Sequence, residues 1–346
     1  MNTEQKKQAI YRHFSEKMAN QLPIFLQSWW LDAVCDAQNW SANLSISPTS
    51  GEVEAALVYH FRQKYFFSMI LMPPFTPFAG VWFDEKIIEK NNLKKTSAQN
   101  FIKNKLNDLI ENLPKVDFYF QKFHYNLTDW QPFFWKGFQQ TTHFTYTLAL
   151  DPTVEMLLKN CNKNTQRNIQ KSNQFFDAKI LEMPPPQYKA DFLEKMTQKF
   201  AQMNAQTFKR QGKNAPVSTP KLQQIIKAIY ENQAGALVAA FPKNTPQTVE
   251  NIVAMTLIVW DKKTTYYLGG GATDFARENG ATFGLLWESI LYSKNKNIQI
   301  FDFEGSMLQN VEKIFRNFGA TQQPYHRIWR TRNRFFEVLN LFFKIK

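Results

Sequence analysis

The sequence predicts an α+β fold of two similar units in one chain, each a mixed, mostly antiparallel sheet with flanking helices. Three observations predict it. Strand-like and helical runs recur in a similar order in the two halves. In the second half a helical run separates strands 264–270 and 298–303, which implies a right-handed parallel crossover inside an otherwise antiparallel sheet. At an offset of 182 residues VDFYFQKF overlays IQIFDFEG, Phe133 overlays Phe315, Gly137 overlays Gly319 and Gln140 overlays Gln322. Duplication explains these identities, and so does a shared strand–helix–strand period; both readings stay open.

The elements follow in order. Residues 3–20 put Ile10, Phe14 and Met18 on one helical face, and Ser28 is placed to cap a second helix, WWLDAVCDA. The runs 54–61 and 64–72 are close enough for a hairpin. Three prolines and a glycine in MPPFTPFAGVWF, 72–83, argue against regular structure there. A helix near 97–112 precedes strand 116–123, and a loop with Trp130 and Pro132 leads to strand 142–150. The boundary is expected after residue 150, giving units 1–150 and 151–346. A basic helix, 153–172, leads to strand 175–183, then helices 188–204 and 220–232. Strands 236–241, 251–260 and 264–271 come next, the last two joined by the turn Asp261-Lys262-Lys263. A helix starts at Asn279-Gly280-Ala281 and buries Phe283, Leu286, Trp287, Ile290 and Leu291. Strand 297–303, helix 308–318 and strand 325–331 complete the order.

Composition bounds the function. Among 346 residues, 44% hydrophobic and 32 Phe exclude a disordered chain. Two cysteines, Cys35 and Cys161, exclude a disulfide scaffold and a four-cysteine zinc site. His13, His60, His124, His143 and His326 show no metal-binding spacing, so no metal is expected. The start MNTEQKKQAIYRHF has no apolar core of a signal peptide, and no run is long and apolar enough for a membrane span, so a cytoplasmic protein is expected. No nucleophile elbow or Walker loop occurs, and Asp274 breaks a dinucleotide-type glycine pattern after Gly269-Gly270-Gly271.

The charge is uneven. Residues 1–150 carry a net +2 and residues 151–346 a net +11. A basic half suits an anionic partner, whether a phosphate-bearing cofactor, nucleic acid (tRNA included) or anionic lipid, and suits plain solubility equally. Lys159, Lys163, Arg167 and Lys171 recur every four residues and form one drifting stripe if that segment is a single helix. The stripe guides an anionic substrate or is a solvated face. A second basic cluster is Arg327, Arg330, Arg332 and Arg334. The apolar, basic C-terminal run FFEVLNLFFKIK either docks on the core or meets a membrane surface.

Two segments carry candidate chemistry. A strand ends in Gly269-Gly270-Gly271, and a helix starts soon after at Gly280-Ala281 behind Arg277. Helix N-termini expose N–H groups suited to pyrophosphate; Gly280 at a helix start is also a packing glycine. Phe301-Asp302-Phe303-Glu304-Gly305-Ser306 ends the parallel strand. Alternation puts Asp302 and Glu304 on one face, and Glu304, beyond the sheet edge, is the better base for an attacking amine. It also suits a helix cap or an ion pair.

The first of these segments resembles the Arg-x-x-Gly-x-Gly/Ala loop of GNAT acyltransferases, which holds the pyrophosphate of coenzyme A, with Thr282 where that motif has Gly or Ala. More broadly, Asn164-Thr-Gln-Arg167-Asn-Ile-Gln-Lys171, Phe208-Lys-Arg210-Gln-Gly, the Tyr-Tyr-Leu-Gly-Gly-Gly run, Asn279-Gly-Ala-Thr-Phe-Gly, Phe301-Asp-Phe-Glu-Gly-Ser and Phe315-Arg-Asn-Phe-Gly319-Ala, in that order, resemble the Fem-type transferases and their GNAT-like relatives. The resemblance implies tandem GNAT-like (acyl-CoA N-acyltransferase) domains and acyl transfer from an activated donor to a small-molecule or peptide amine. The donor is an acyl-coenzyme A thioester or, as in Fem enzymes acting on a peptidoglycan precursor, an aminoacyl-tRNA. A non-catalytic binding protein of the same fold is a third reading. In the implied mechanism Gly269–Gly271 polarise the carbonyl, and Gly271, Arg277, Gly280 and Ala281 hold the donor. Glu304 takes the amine proton, and Tyr267 or Tyr325 protonates the leaving group. Phe75 and Trp82 in MPPFTPFAGVWF form an aromatic lip over the acceptor or simply pack.

Overall fold

The computed structural model describes residues 3–84, 95–305 and 307–332. Contacts group the chain into two units, one of residues 1–143 with the chain from Pro324 onward, the other Phe144–Gln323. Residues 324–331, expected with the second half, lie with the first because their strand pairs there.

In the first unit helix α1 (Thr3–Lys17) and helix α2 (Ser28–Cys35) precede strands β1 (Trp40–Ile46), β2 (Val53–Lys64), β3 (Phe67–Leu71) and β4 (Gly80–Phe83). Helix α3 (Lys95–Glu111), strand β5 (Phe118–Lys122), the short helix α4 (Gln131–Trp135) and strand β6 (Gln139–Ala149) follow. Strands β1, β2 and β3 form an antiparallel meander, and β5 lies parallel to β3. The core gathers Leu57, Tyr59, Ile70, Leu106, Tyr119, Phe123 and Phe133 between the sheet and α3.

Three expectations change here. Ser28 is the first residue of α2 and caps nothing; its N–H donates to Ser15 Oγ. Strand β1 has no counterpart in the sequence reading. MPPFTPFAGVWF does contain a strand, since β4 begins past its last proline and pairs with β2.

The second unit opens with helices α5 (Val154–Asn160) and α6 (Lys163–Phe175), strand β7 (Phe176–Leu181), and helices α7 (Lys189–Arg210) and α8 (Thr219–Glu231). Then come strands β8 (Gly235–Pro242), β9 (Ala254–Trp260) and β10 (Thr264–Ala272), helices α9 (Asp274–Glu278) and α10 (Ala281–Asn295), strand β11 (Ile300–Asp302), helix α11 (Gln309–Asn317) and strand β12 (Thr321–Thr331). The expected basic helix 153–172 is two helices: Asn162 accepts from Asn164 N–H and starts a new one, and the Cys161 thiol is buried against Leu157 and Phe318 carbonyls. Strands β7 to β10 are an antiparallel meander, β11 is parallel to β10, and β6 is antiparallel to β11. Helices α5, α6, α9, α10 and α11 cover one face of this sheet through Leu157, Ile169, Ala276, Leu286, Ile290 and Phe315, which meet Phe301 and Phe303 of the sheet side in one core.

Both units therefore run meander, crossover helix, parallel strand, then an antiparallel neighbour. The neighbours are exchanged: β6 follows β5 in the chain but pairs with β11, and β12 follows β11 but pairs with β5. The 182-residue offset is visible in detail, since β5 overlays β11, and Gly137 and Gly319 both take left-handed φ, +79° and +85°.

Candidate active site

The second unit's sheet opens between β10 and β11. The two strands pair only at Thr264↔Ile300, Thr265↔Phe301 and Tyr266↔Asp302. Strand β10 continues to Ala272 on β9 alone, so its edge from Tyr267 onward has no β11 partner. At this point β10 bulges: Tyr267 opposes Ile258 and Gly269 opposes Leu257, leaving Leu268 as the extra residue. Gly269 sits at φ +145°, accessible to glycine. A methyl group on Gly271 would come within 2.3 Å of the Met203 carbonyl oxygen, and one on Gly270 within 2.6 Å of that of Met255. The glycine run thus lets α7 and β9 close on β10 at the opening.

Across the opening the end of β11 is clamped. Thr145 Oγ1, on β6, donates to Asp302 Oδ1 at 2.5 Å and accepts from Gly305 N–H at 2.9 Å. The Glu304 N–H also donates to Asp302 Oδ1, 2.9 Å. Gly305 lies so close to Phe144 that an added methyl would meet its carbonyl oxygen at 1.8 Å. Asp302 is 3% exposed. Burial pushes its carboxyl up to about 6, against the two hydrogen bonds, which favour the anion. The expected face-sharing of Asp302 and Glu304 by strand alternation fails, because β11 ends at Asp302 and Glu304 turns left-handed, φ +56°. Phe301 and Phe303 do share the core side, with Phe303 stacked on Phe315 at 5.2 Å. Ser306 lies outside the described residues.

The other expected residues are distributed as follows. Tyr267 sits in the opening, its ring 6.2 Å from Phe315, and burial raises its phenol above the usual range although a bond with Thr256 opposes this. Tyr325 belongs to the first unit, its ring 5.9 Å from that of His143. Arg277 Nη2 donates to Asp274 Oδ1 at 3.0 Å. Gly280 caps α10 at φ +81°, but a methyl there would meet the Asn168 carbonyl at 2.4 Å, and Ala281 is fully buried. On its α-carbon side Gly280 therefore packs against α6. Gly284, one turn on, meets Ser172 in the same way.

Lys159 lies on α5, apart from the helix that carries Lys163, Arg167 and Lys171, so the stripe is broken at Asn162. Lys171 Nζ donates to the Glu278 carbonyl at 2.9 Å, closing the end of α9. Trp82 packs its ring 5.3 Å from Phe14, and half-buried Phe75 sits in a left-handed turn, φ +56°. Arg327 lies over Phe120, 5.0 Å, and donates to His143 Nε2, 2.8 Å; burial, Arg327 and Lys122 lower that imidazole to about 4. Arg330 lies over Phe138 at 4.1 Å. Arg334 and the C-terminal run fall outside the described residues.

Three polar groups at the opening were not among the expected site residues. Thr145 is the clamp. Arg210 donates to the Ala272 carbonyl at 3.3 Å and pairs with Asp274 at 3.6 Å, so two guanidiniums share one carboxylate where β10 ends. Asn204, on α7 beside Gly269, is 6% exposed, and its Oδ1 has no hydrogen-bond partner among the described residues. Arg210 alone had a sequence signal, the stretch Phe208-Lys-Arg210-Gln-Gly.

No family model and no curated protein sequence matches the chain. Solved structures do. FemX superposes with a TM-score of 0.60 at 11% identity, over 94% of this chain and 96% of that one. This chain therefore has the same fold as FemX. A C-terminal domain of a putative lysylphosphatidylglycerol synthetase from Agrobacterium fabrum gives 0.54 at 9% identity, over 97% and 96%. L-PGS from Bacillus licheniformis gives 0.51 at 12%, over 88% and 87%. At these identities the likeness concerns the fold. Within this fold each of the two units of the chain has its own parallel strand pair, β3 with β5 and β10 with β11.

Proposed function

We propose that the second unit transfers an acyl group from an activated ester or thioester to an amine. The observation that carries this reading is the parting of β10 from β11 after Tyr266↔Asp302, with a bulged, glycine-lined strand edge on one side and a clamped carboxylate loop on the other. The unpaired backbone edge of β10 can bind an extended acyl donor and polarise its carbonyl. Glu304, held in place by the Asp302–Thr145 clamp, accepts the proton of the attacking amine, directly or through water. Tyr267, which burial keeps protonated at neutral pH, donates to the leaving group. Tyr325 is the other candidate donor named by the sequence and serves as the comparison variant. Arg210 and Arg277 offer cationic contacts where β10 ends, in keeping with a phosphate-bearing donor.

Acyl-coenzyme A is the first donor to test. Titration calorimetry with acetyl-coenzyme A and its desulfo analogue should give micromolar binding that R277E weakens; unaltered binding in R277E would remove Arg277 from the site. A second donor is favoured by two observations. The Asn168 carbonyl fills the space over Gly280, and residues 151–346 carry a net +11. An aminoacyl ester of tRNA fits both, since its phosphates bind an extended basic surface rather than one loop. A gel shift with tRNA that falls steeply with salt, without coenzyme A binding, selects that donor.

A further inference from the structure

The β2–β3 hairpin ends in two large aromatic side chains that the fold leaves in solvent. Tyr65 is 81% exposed and Phe66 94% exposed. Tyr65 takes a left-handed turn, φ +56°, which carries the pair out beyond the last hairpin pairing, Lys64↔Phe67. Nothing in the first unit's core needs them there, and an exposed apolar tip lowers solubility unless it meets something.

Basic residues surround this tip. Arg62 and Lys64 on β2 are exposed, and Lys64 Nζ lies 5.9 Å from the Tyr65 ring. Asp117 binds the hairpin one pair back from its tip: its N–H donates to the Ser68 carbonyl, and its carboxylate accepts from Ser68 N–H and Oγ. Exposed Lys115 stands two residues from Asp117, and exposed Arg332 donates its N–H to the Asp117 carbonyl, so both reach the same end of the sheet. Among these described residues the acid, Asp117, is engaged by Ser68, while Arg62, Lys64, Lys115 and Arg332 lie at the end of the sheet that carries the two protruding rings.

We propose that the hairpin tip docks on an anionic lipid surface, with Phe66 and Tyr65 entering the headgroup boundary and Arg62, Lys64, Lys115 and Arg332 facing lipid phosphates. Aromatic rings at the boundary and lysine or arginine beside it are what an interface selects. The shape favours a membrane over nucleic acid. Bases stack in grooves and on sheet faces, whereas these rings cap a convex two-strand tip suited to a broad plane. The inference concerns the first unit and does not depend on the transferase reading.

The test uses the full chain and vesicles of phosphatidylcholine with or without about a third phosphatidylglycerol. Co-sedimentation should show binding to the anionic vesicles only, weakened at high salt. Y65S/F66S and R62Q/K64Q should each lower partitioning about tenfold. Both pairs are exposed, so circular dichroism should be unchanged. Because Cys35 and Cys161 are buried, F66C supplies an exposed thiol, and a polarity-sensitive dye there should shift to the blue on anionic vesicles. Wild-type chain that ignores the vesicles overturns the proposal, as does binding that persists in Y65S/F66S. Loss of tRNA binding in these variants, with no vesicle binding, would reassign the tip to nucleic acid.

Discussion

Replacing Thr145 by valine keeps the shape of the side chain and deletes the hydroxyl that donates to Asp302 Oδ1 and accepts from Gly305 N–H. Hydrogen bonds between neutral groups contribute about 1 kcal/mol and those to a charged group about 1.5–3 kcal/mol. When Asp302 is protonated the variant loses two neutral bonds, a cost of about 2 kcal/mol. When Asp302 is ionised one of them is charge-assisted, and the cost rises to about 3.5 kcal/mol. The difference of about 1.5 kcal/mol corresponds to a rise of about one unit in the variant's Asp302 pKa, because the hydroxyl favours the anion. In the wild type this carboxyl lies at about 6, above its ordinary 3.8. Its contribution is therefore full at low pH and is lost as pH climbs through about 6. In T145V the loss continues about one unit further, so the gap between the two proteins widens on going from acid to neutral pH. Urea unfolding followed by tryptophan fluorescence, at about pH 5 and about pH 8, reads both gaps. A gap that is equal at the two pH values, or smaller at the higher one, would refute the clamp.

Three further outcomes are expected. E304Q should lower turnover about a hundredfold or more while donor affinity is kept, measured by steady-state kinetics and calorimetry; full turnover would move the base elsewhere. G284A places a methyl 2.0 Å from Ser172 Oγ, so it should lower the melting temperature markedly, and S172A in the same chain should recover part of the loss. No recovery would mean the α6–α10 contact is not what Gly284 protects. Cys161 is buried with its thiol pushed up to about 11, and Cys35 is buried too, so native protein should resist thiol reagents until denaturant is added. Prompt labelling would place either thiol in solvent.

Where pattern and burial agree, the fold could be read from the sequence. The meander of β8 to β10, the turn at Asp261–Lys263 and the apolar face of α10 follow from period and turn chemistry. Strand β1 is buried on both faces, with Trp40 and Ala42 on one and Ser41, Asn43 and Ser45 on the other, and Asn43 is satisfied by the Leu109 carbonyl and Lys7. Its apolar positions, Trp40, Ala42, Leu44 and Ile46, do alternate with period 2, so the strand was legible in principle. The break between α5 and α6 turned on one capping side chain, Asn162. At the candidate site the sequence supplied the glycine run and the Asp302–Glu304 segment, which are local. It could not supply Thr145, 157 positions from Asp302, or Asn204, whose place depends on how α7 crosses β10. Nor could it supply the Asn168 carbonyl against which Gly280 packs.

The exchanged strands set an order of synthesis. Strand β5 leaves the ribosome early, but its antiparallel neighbour β12 ends at Thr331, near the end of the 346-residue chain. The first unit must therefore wait through the making of the whole second unit with one sheet edge unfinished. During that interval β6 has no β11 to join either, since β11 is more than 150 residues away. A cut after residue 150 strands β6 with the wrong fragment and β12 with the other, so neither piece should mature alone, and mixing the two should restore what each lacks.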